Sequence, residues 1–200
     1  IPARNGHDAA AIMRDVLAAA PWRVGARAWN FLSTHDTARW RTVAGSRERQ
    51  LVGAALLYTY PGAPLVFAGD EGGLHGVNGE HGRRPMPWTD IDAGGPRWDP
   101  VTHAAYRELG ALRRSACALR HGGLRWAAVT DDALVFLREC AHERLVVAVA
   151  RDAGGPISID LGPAVRDLED LYGGARLRPI DGRITLTSEG PTAQVWRMDR

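Results

Sequence analysis

With 45% hydrophobic and 24% charged side chains, the 200 residues have the balance of a soluble globular chain, enough for one domain of moderate size or one and a half. All 25 basic residues are arginine, and a net charge of +2 gives no reason to expect a nucleic-acid partner. No apolar run approaches the ~20 residues of a membrane span, so no membrane partner is expected either. The chain opens Ile1-Pro2 and reads as mid-sequence, which leaves its compartment undetermined. Cys117 and Cys140 are too few for a disulfide framework and are expected as free, partly buried thiols.

Residues 7–20 read as an amphipathic helix with Ile12, Val16 and Leu17 on one face, stopped by Pro21. Residues 26–32 read as a buried strand. A helix over residues 47–58 follows, with Ser46 as its N-cap. Pro61-Gly62 turns the chain into a second apolar strand over residues 63–68, completing the strand, helix, strand order of a parallel unit. Residues 71–100 are a long Gly- and Pro-rich loop, of the kind that in compact domains carries function. Residues 101–118 return to helix.

Beyond about residue 119 the character changes. Short β-rich runs at 124–130, 133–139, 144–150, 156–161, 183–187 and 192–198 alternate with turn signals such as Asp131-Asp132 and Asp181-Gly182. That spacing indicates a small antiparallel sandwich or barrel, with the boundary near His121-Gly122-Gly123. The expected class is α/β plus all-β, with residues 1–120 as one unit and residues 121–200 as the other.

Both apolar runs of the first unit stop abruptly at polar chemistry. The first ends in Thr34-His35-Asp36, the second in Gly69-Asp70-Glu71. A (β/α) barrel displays its functional groups in this way, at the carboxyl ends of successive strands. Together with Gly62-Ala63-Pro64 before the second end and Arg83-Arg84-Pro85-Met86-Pro87-Trp88 in the loop, these motifs resemble glycoside hydrolase family 13, the α-amylase family. The resemblance covers essentially the whole chain. The loop is similar to that of the neopullulanase and maltodextrin-glucosidase branches, which act on short maltodextrins, cyclodextrins or pullulan. One departure is Thr34, where many members have Asn or Ser.

The resemblance implies a C-terminal part of a (β/α)8 TIM barrel followed by a small antiparallel β-sandwich, acting on α-glucan oligosaccharides. It implies that Asp36 is the carboxylate that stabilises the transition state by gripping the 2- and 3-hydroxyls of the sugar, with His35 beside it. It further implies that Asp70 and Glu71 hold the barrel mouth together. Arg83 becomes the best sugar-binding candidate of the loop, and Trp88 a candidate for stacking on a sugar ring. Trp29, Trp126 and Trp196 lie in strand patterns and read as core, while Arg39 and Arg41 read as surface or ion-pair residues.

Retaining cleavage also needs a nucleophile and a general acid roughly 5 Å apart. Arg138-Glu139, Arg166-Asp167 and Gly79-Glu80 are the nearest fragments of the family's patterns, and none follows a buried strand in the right order. Those two carboxylates are expected upstream of Ile1, so the chain alone should be inactive. Its uncovered barrel flanks should favour association, a homodimer being one form. His75, Glu80, His81 and Asp70 match no zinc pattern, and no metal or cofactor is expected, although a structural calcium stays open for a longer parent. The rival readings are a carbohydrate-binding or assembly module, and a glycosyl-transferring or trehalose-forming member of the same family.

Overall fold

A computed structural model describes residues 5–199; the Ile1-Pro2 opening lies outside them. In chain order the elements are α1 (Gly6–Ala18), α2 (Trp22–Gly25), β1 (Trp29–Asn30), α3 (Trp40–Ala44), α4 (Arg47–Thr59) and β2 (Ala63–Pro64). A 3-10 turn, Asp70–Gly72, leads to α5 (Gly79–Gly82), α6 (Trp88–Ala93), α7 (Pro100–Ser115) and α8 (Cys117–His121). Then follow β3 (Gly123–Val129), β4 (Ala133–Glu139), β5 (Arg144–Ala150), β6 (Gly154–Asp160), β7 (Leu168–Tyr172), β8 (Arg183–Ser188) and β9 (Thr192–Met198).

β1 and β2 pair in parallel, Trp29 opposite Ala63 and Asn30 opposite Pro64, with α3 and α4 between them in sequence. Ser46 caps α4 as expected, its hydroxyl accepting from the Arg49 amide at 3.2 Å. Both strands are far shorter than the apolar runs that suggested them. The Asn30 amide donates to the Pro61 carbonyl at 2.7 Å, and Gly62 turns at φ +112°, where an added Cβ would sit 2.4 Å from that same amide. The chain there has room only for glycine.

The five-stranded antiparallel sheet runs β3-β4-β5-β9-β7, and β6 pairs with β8 as a separate two-stranded sheet. Side chains alternate across β4. Leu134 and Phe136 join one apolar cluster with Val52 and Ala55 of α4 and Tyr106 and Leu109 of α7. Val135 and Leu137 join another with Ile159 of β6 and Ile184 and Leu186 of β8. The sheet is therefore covered on both faces, by helices on one side and by the small sheet on the other. Continuous apolar runs such as Leu145-Val146-Val147 are buried throughout for this reason.

Arg138 follows Leu134 and Phe136 on the helix side of β4 and is 1% exposed. Its guanidinium donates to four backbone carbonyls: Thr59 at the end of α4, Leu119 and Gly122 at the end of α8, and Gly123. The last carbonyls of a helix lack intrahelical partners and carry the negative end of its dipole, so a cation placed there is well matched. Arg113 of α7 does similar work one residue to either side, donating to the carbonyls of Tyr58, Tyr60 and Gly62. Burial, and then the like charge of Arg113, pull the Arg138 pKa below the usual guanidinium range.

Several expectations are corrected. Cys117 and Cys140 are not free thiols but a disulfide, joining the first residue of α8 to the end of β4. Their pairing follows from the helix-to-sheet contact, which their spacing of 23 residues does not reveal. Trp29 is not core: it is 72% exposed, as Phe31 is at 55%, because nothing among the described residues covers that flank of β1. Trp196, by contrast, is 1% exposed and donates to the Ala175 carbonyl. In α1 the buried residues are Gly6 and Ala10, while Val16 stands 67% exposed. The loop over residues 71–100 carries two short helices, and β7 is a strand that the apolar pattern did not show.

Replacing Arg138 by Met should leave those four carbonyls without a donor. The expected cost is on the order of 3–5 kcal/mol, read as a lower urea midpoint with an unchanged slope. A midpoint within error of the original would show that the guanidinium is dispensable.

Candidate functional site

The loops that follow β1 and β2 gather most of the polar chemistry. After β1 the chain makes a tight turn in which the Thr34 amide donates to the Thr37 hydroxyl at 2.9 Å and the Asp36 amide to the Thr34 hydroxyl at 3.3 Å. The turn lifts His35 and Asp36 outward. Their side chains are 65% and 71% exposed, and His35 Nε2 lies 3.3 Å from Asp36 Oδ2. Thr34 thus uses its hydroxyl to hold the backbone of the Asp36 turn.

Three other acids of this region are engaged within the fold. Asp70 is 3% exposed and accepts from the Ser33 hydroxyl on Oδ2 and from Arg39 on Oδ1 at 3.0 Å. Burial pushes its pKa up, and the hydrogen bonds from Ser33 and Arg39 oppose that. Asp70 and Glu71 begin a 3-10 turn. Glu71 folds back to accept from the Gly69 amide at 2.7 Å. Asp99 caps α7 through the amides of Val101 and Thr102, and binds Arg41 at 2.6 Å and Arg47 at 2.7 Å.

Arg39 and Arg41 are accordingly ion-pair residues, and Arg39 is no surface residue at 2% exposure. Gln50, fully buried, joins the two pairs: its amide donates to the Asp70 carbonyl at 2.6 Å and its oxygen accepts from Arg41 at 2.8 Å. Ser33, Arg39 and Gln50 went unnoticed as site residues, because only the fold shows that they meet at Asp70. The one signal available in advance was position: Ser33 and Arg39 bracket the Thr34-His35-Asp36 motif.

The loop packs against this turn. Asn78 caps α5 through the His81 amide at 2.8 Å, and a Cβ on Gly79 would lie 2.8 Å from the His35 carbonyl oxygen and 3.1 Å from Asp36 Cα. Only glycine allows so close an approach. Arg83, at the end of α5, donates to the Gly79 carbonyl at 3.3 Å and to Glu80 at 3.0 Å. The structure therefore brings His35, Asp36 and the Arg83 segment together. Trp88 starts α6 at 66% exposure. His81 Nδ1 accepts from the Val77 amide at 3.2 Å. Among the described residues no three His, Cys, Asp or Glu side chains gather as a metal site would require, and no helix is long and apolar enough to cross a membrane.

The carboxylates of the nucleophile-like fragments are each paired with an arginine. Arg138 is buried beneath the helix ends, and Glu139 pairs with Arg125 at 3.2 Å on the neighbouring strand. Asp167 pairs with Arg176 at 2.7 Å, and Glu80 with Arg83. A groove of about 1060 Å³ between β2 and α7, lined by Tyr58, Val66, Tyr106 and Arg113, contains none of the predicted site residues.

A parallel strand pair with an acid displayed beyond its carboxyl end is the arrangement found in (β/α) barrels, and here an antiparallel β section follows it. Comparison with known proteins gives the family. The chain is 31% identical over 151 residues to a cyclomaltodextrinase of Geobacillus thermopakistaniensis, covering 72% of this chain and 25% of that protein. It is 34% identical over 128 residues to neopullulanase 2 of Thermoactinomyces vulgaris, covering 63% of this chain and 21% of that one. The crystal structure of a debranching enzyme from Nostoc punctiforme superposes with a TM-score of 0.84 at 25% identity, over 98% of this chain and 40% of that one. No protein-family model matches. The chain belongs to the α-amylase family, glycoside hydrolase family 13, and corresponds to its C-terminal portion. It spans about a quarter of the length of the curated relatives it matches.

Burial works against the charge on Asp99, but hydrogen bonds from Arg47 and Thr102 outweigh it and hold the carboxyl at about 2. A carboxyl depressed in the folded state stabilises above its unfolded value, near 4, and loses that contribution as pH falls towards 2. Unfolding between pH 5 and pH 2 should therefore show about 2 kcal/mol of acid-dependent loss that Asp99→Asn removes. An unaltered pH profile in that variant would contradict the assignment.

Proposed function

We propose that this chain supplies the sugar-gripping end of a retaining α-glucan hydrolase, whose nucleophile and general acid lie in barrel segments outside these 200 residues. The observation that carries the reading is the contrast among the acids of the β1 and β2 loops. Asp70 and Asp99 are committed to arginines, whereas Asp36 stands exposed with His35 as its neighbour. The substrates named for the cyclomaltodextrinase and neopullulanase relatives support maltodextrins or cyclodextrins as the class.

In such a reaction the sugar passes through an oxocarbenium-like state, and hydrogen bonds to its ring hydroxyls strengthen as it forms. Asp36 accepts from the 2- and 3-hydroxyls, and His35 adds a donor or acceptor beside it. Arg83 reaches the sugar from the adjoining segment, and Trp88 offers an apolar face. Residues 1–120 form the barrel part and residues 121–200 the β-sandwich part. Cleavage itself requires the two other carboxylates.

The purified 200-residue chain should release no reducing sugar from maltooligosaccharides or cyclodextrins, and measurable hydrolysis by it would overturn this proposal. In the full-length enzyme, Asp36→Asn should lower kcat by on the order of 10²–10³-fold. The uncovered apolar side chains of α1, α2 and β1, among them Val16, Val24, Trp29 and Phe31, favour self-association of the isolated chain. Light scattering should give a dimer or larger species; a clean monomer at micromolar concentration would contradict it.

A further inference from the structure

Among the described residues the Asp36 carboxylate has only His35 as an ion-pair partner, so its position is inherited from the turn. Local hydrogen bonds shape the turn, and one buried carboxylate anchors it at both ends. Asp70 uses one oxygen for Ser33, three residues before Asp36, and the other for Arg39, three residues after it. The motif is clamped at both ends onto one side chain.

Arg39 extends the clamp. Its Nε donates to the Gly82 carbonyl at 2.9 Å, its NH1 also to the Ala68 carbonyl at 3.0 Å, and its backbone amide to the Gly76 carbonyl at 2.8 Å. The Phe67 ring lies 4.2 Å from its guanidinium carbon. Gly76 precedes α5 and Gly82 is its last residue; its first residue, Gly79, lies against the Asp36 backbone and Arg83 follows its end. One guanidinium thus ties together the Asp36 turn, the chain after β2 and the Arg83 segment.

We propose that Arg39 and Asp70 are positioning residues, a buried pair that fixes the Asp36 carboxylate and the Arg83 segment in one relation to each other. This rests on the reading of Asp36 as the sugar-gripping carboxylate. The chemistry of the pair is specific. Lysine at position 39 would keep the charge for Asp70 but lose the fork that reaches Gly82 and Ala68. Asparagine at position 70 would offer one acceptor oxygen where two are used, setting an NH2 group against Ser33 or Arg39.

The test is a double-mutant cycle in the full-length enzyme. Arg39→Lys should lower kcat/KM on a maltooligosaccharide by about 10²-fold, the scale of a misplaced catalytic contact. It should cost several-fold less once Asp36→Asn is already present, because one of the two groups being positioned is gone. Amide hydrogen exchange, which needs no activity, should quicken in Arg39→Lys at residues 34–37 and 79–83 and stay unchanged in β4 and β5. Ser33→Ala, which leaves the ion pair intact, should give a smaller loss of about tenfold or less and quicken exchange at 34–37 alone. Equal losses from Arg39→Lys with and without Asp36→Asn, or unchanged exchange at both segments, would overturn the positioning role. An Asp36→Asn enzyme with undiminished kcat/KM would instead overturn the reading of Asp36, and this proposal with it.

Discussion

The fold turns on a buried positive charge that, among the described residues, meets backbone carbonyls and no carboxylate. Arg138 leaves the helix side of β4 and satisfies the carbonyl ends of α4 and α8 together with the link into β3. Removing a guanidinium from water costs several kcal/mol, and only dense hydrogen bonding in a favourable field offsets it. Two helix C-termini supply that field. The consequence is geometric: the sheet and the helices cannot slide past one another without stranding both the cation and the carbonyls. A disulfide from Cys117 to Cys140 closes the same junction covalently, and Glu143 does so with its carboxylate, accepting from the Ala118 amide at the start of α8 and from Arg197 of β9.

Arg39 solves the same problem with a different partner. It too is buried, but it faces Asp70, so the net charge of the site is small and the pair can serve geometry. Arg138 joins large elements, where carbonyl dipoles are plentiful. Arg39 joins loops and the end of the short α5, and there a carboxylate is brought in as well. The arginine fork suits both, because its donors point in several fixed directions from one plane. Lysine, absent from this chain, could not bind four separate carbonyls from a single position.

What the sequence disclosed follows from how local each signal is. The limits of β4, β5 and β9 were legible to the residue, because β-branched runs bounded by turn residues are local features. The cap of α4 was legible from Ser46 alone. β7 was hidden because Glu169 and Asp170 break its apolar pattern, and its pairing with β9 spans distant sequence. Trp29 was misplaced because an apolar strand looks the same whether or not a neighbour covers it. In the site, the exposed turn bearing His35 and Asp36 follows from hydroxyls close in sequence. Its anchorage to Asp70 does not, since Ser33 and Asp70 are 37 residues apart and meet only through the parallel pairing of β1 with β2.

The shortness of that parallel pair bears on how the site is built. Two residues per strand bury little and cannot orient a carboxylate through the sheet alone. Orientation has to come from elsewhere, and here it comes from α4. That helix packs its middle into the sheet core through Val52 and Ala55 and presents Gln50, nearer its start, to Asp70 and Arg41. A rigid helix thereby links the Arg138 junction at its carboxyl end to the Asp70 clamp near its amino end. The helix thus connects the β domain, through Thr59, with the Asp70 clamp, through Gln50. A substitution that loosens the junction at Thr59 should therefore be felt at Asp36 through the helix rather than through the strands.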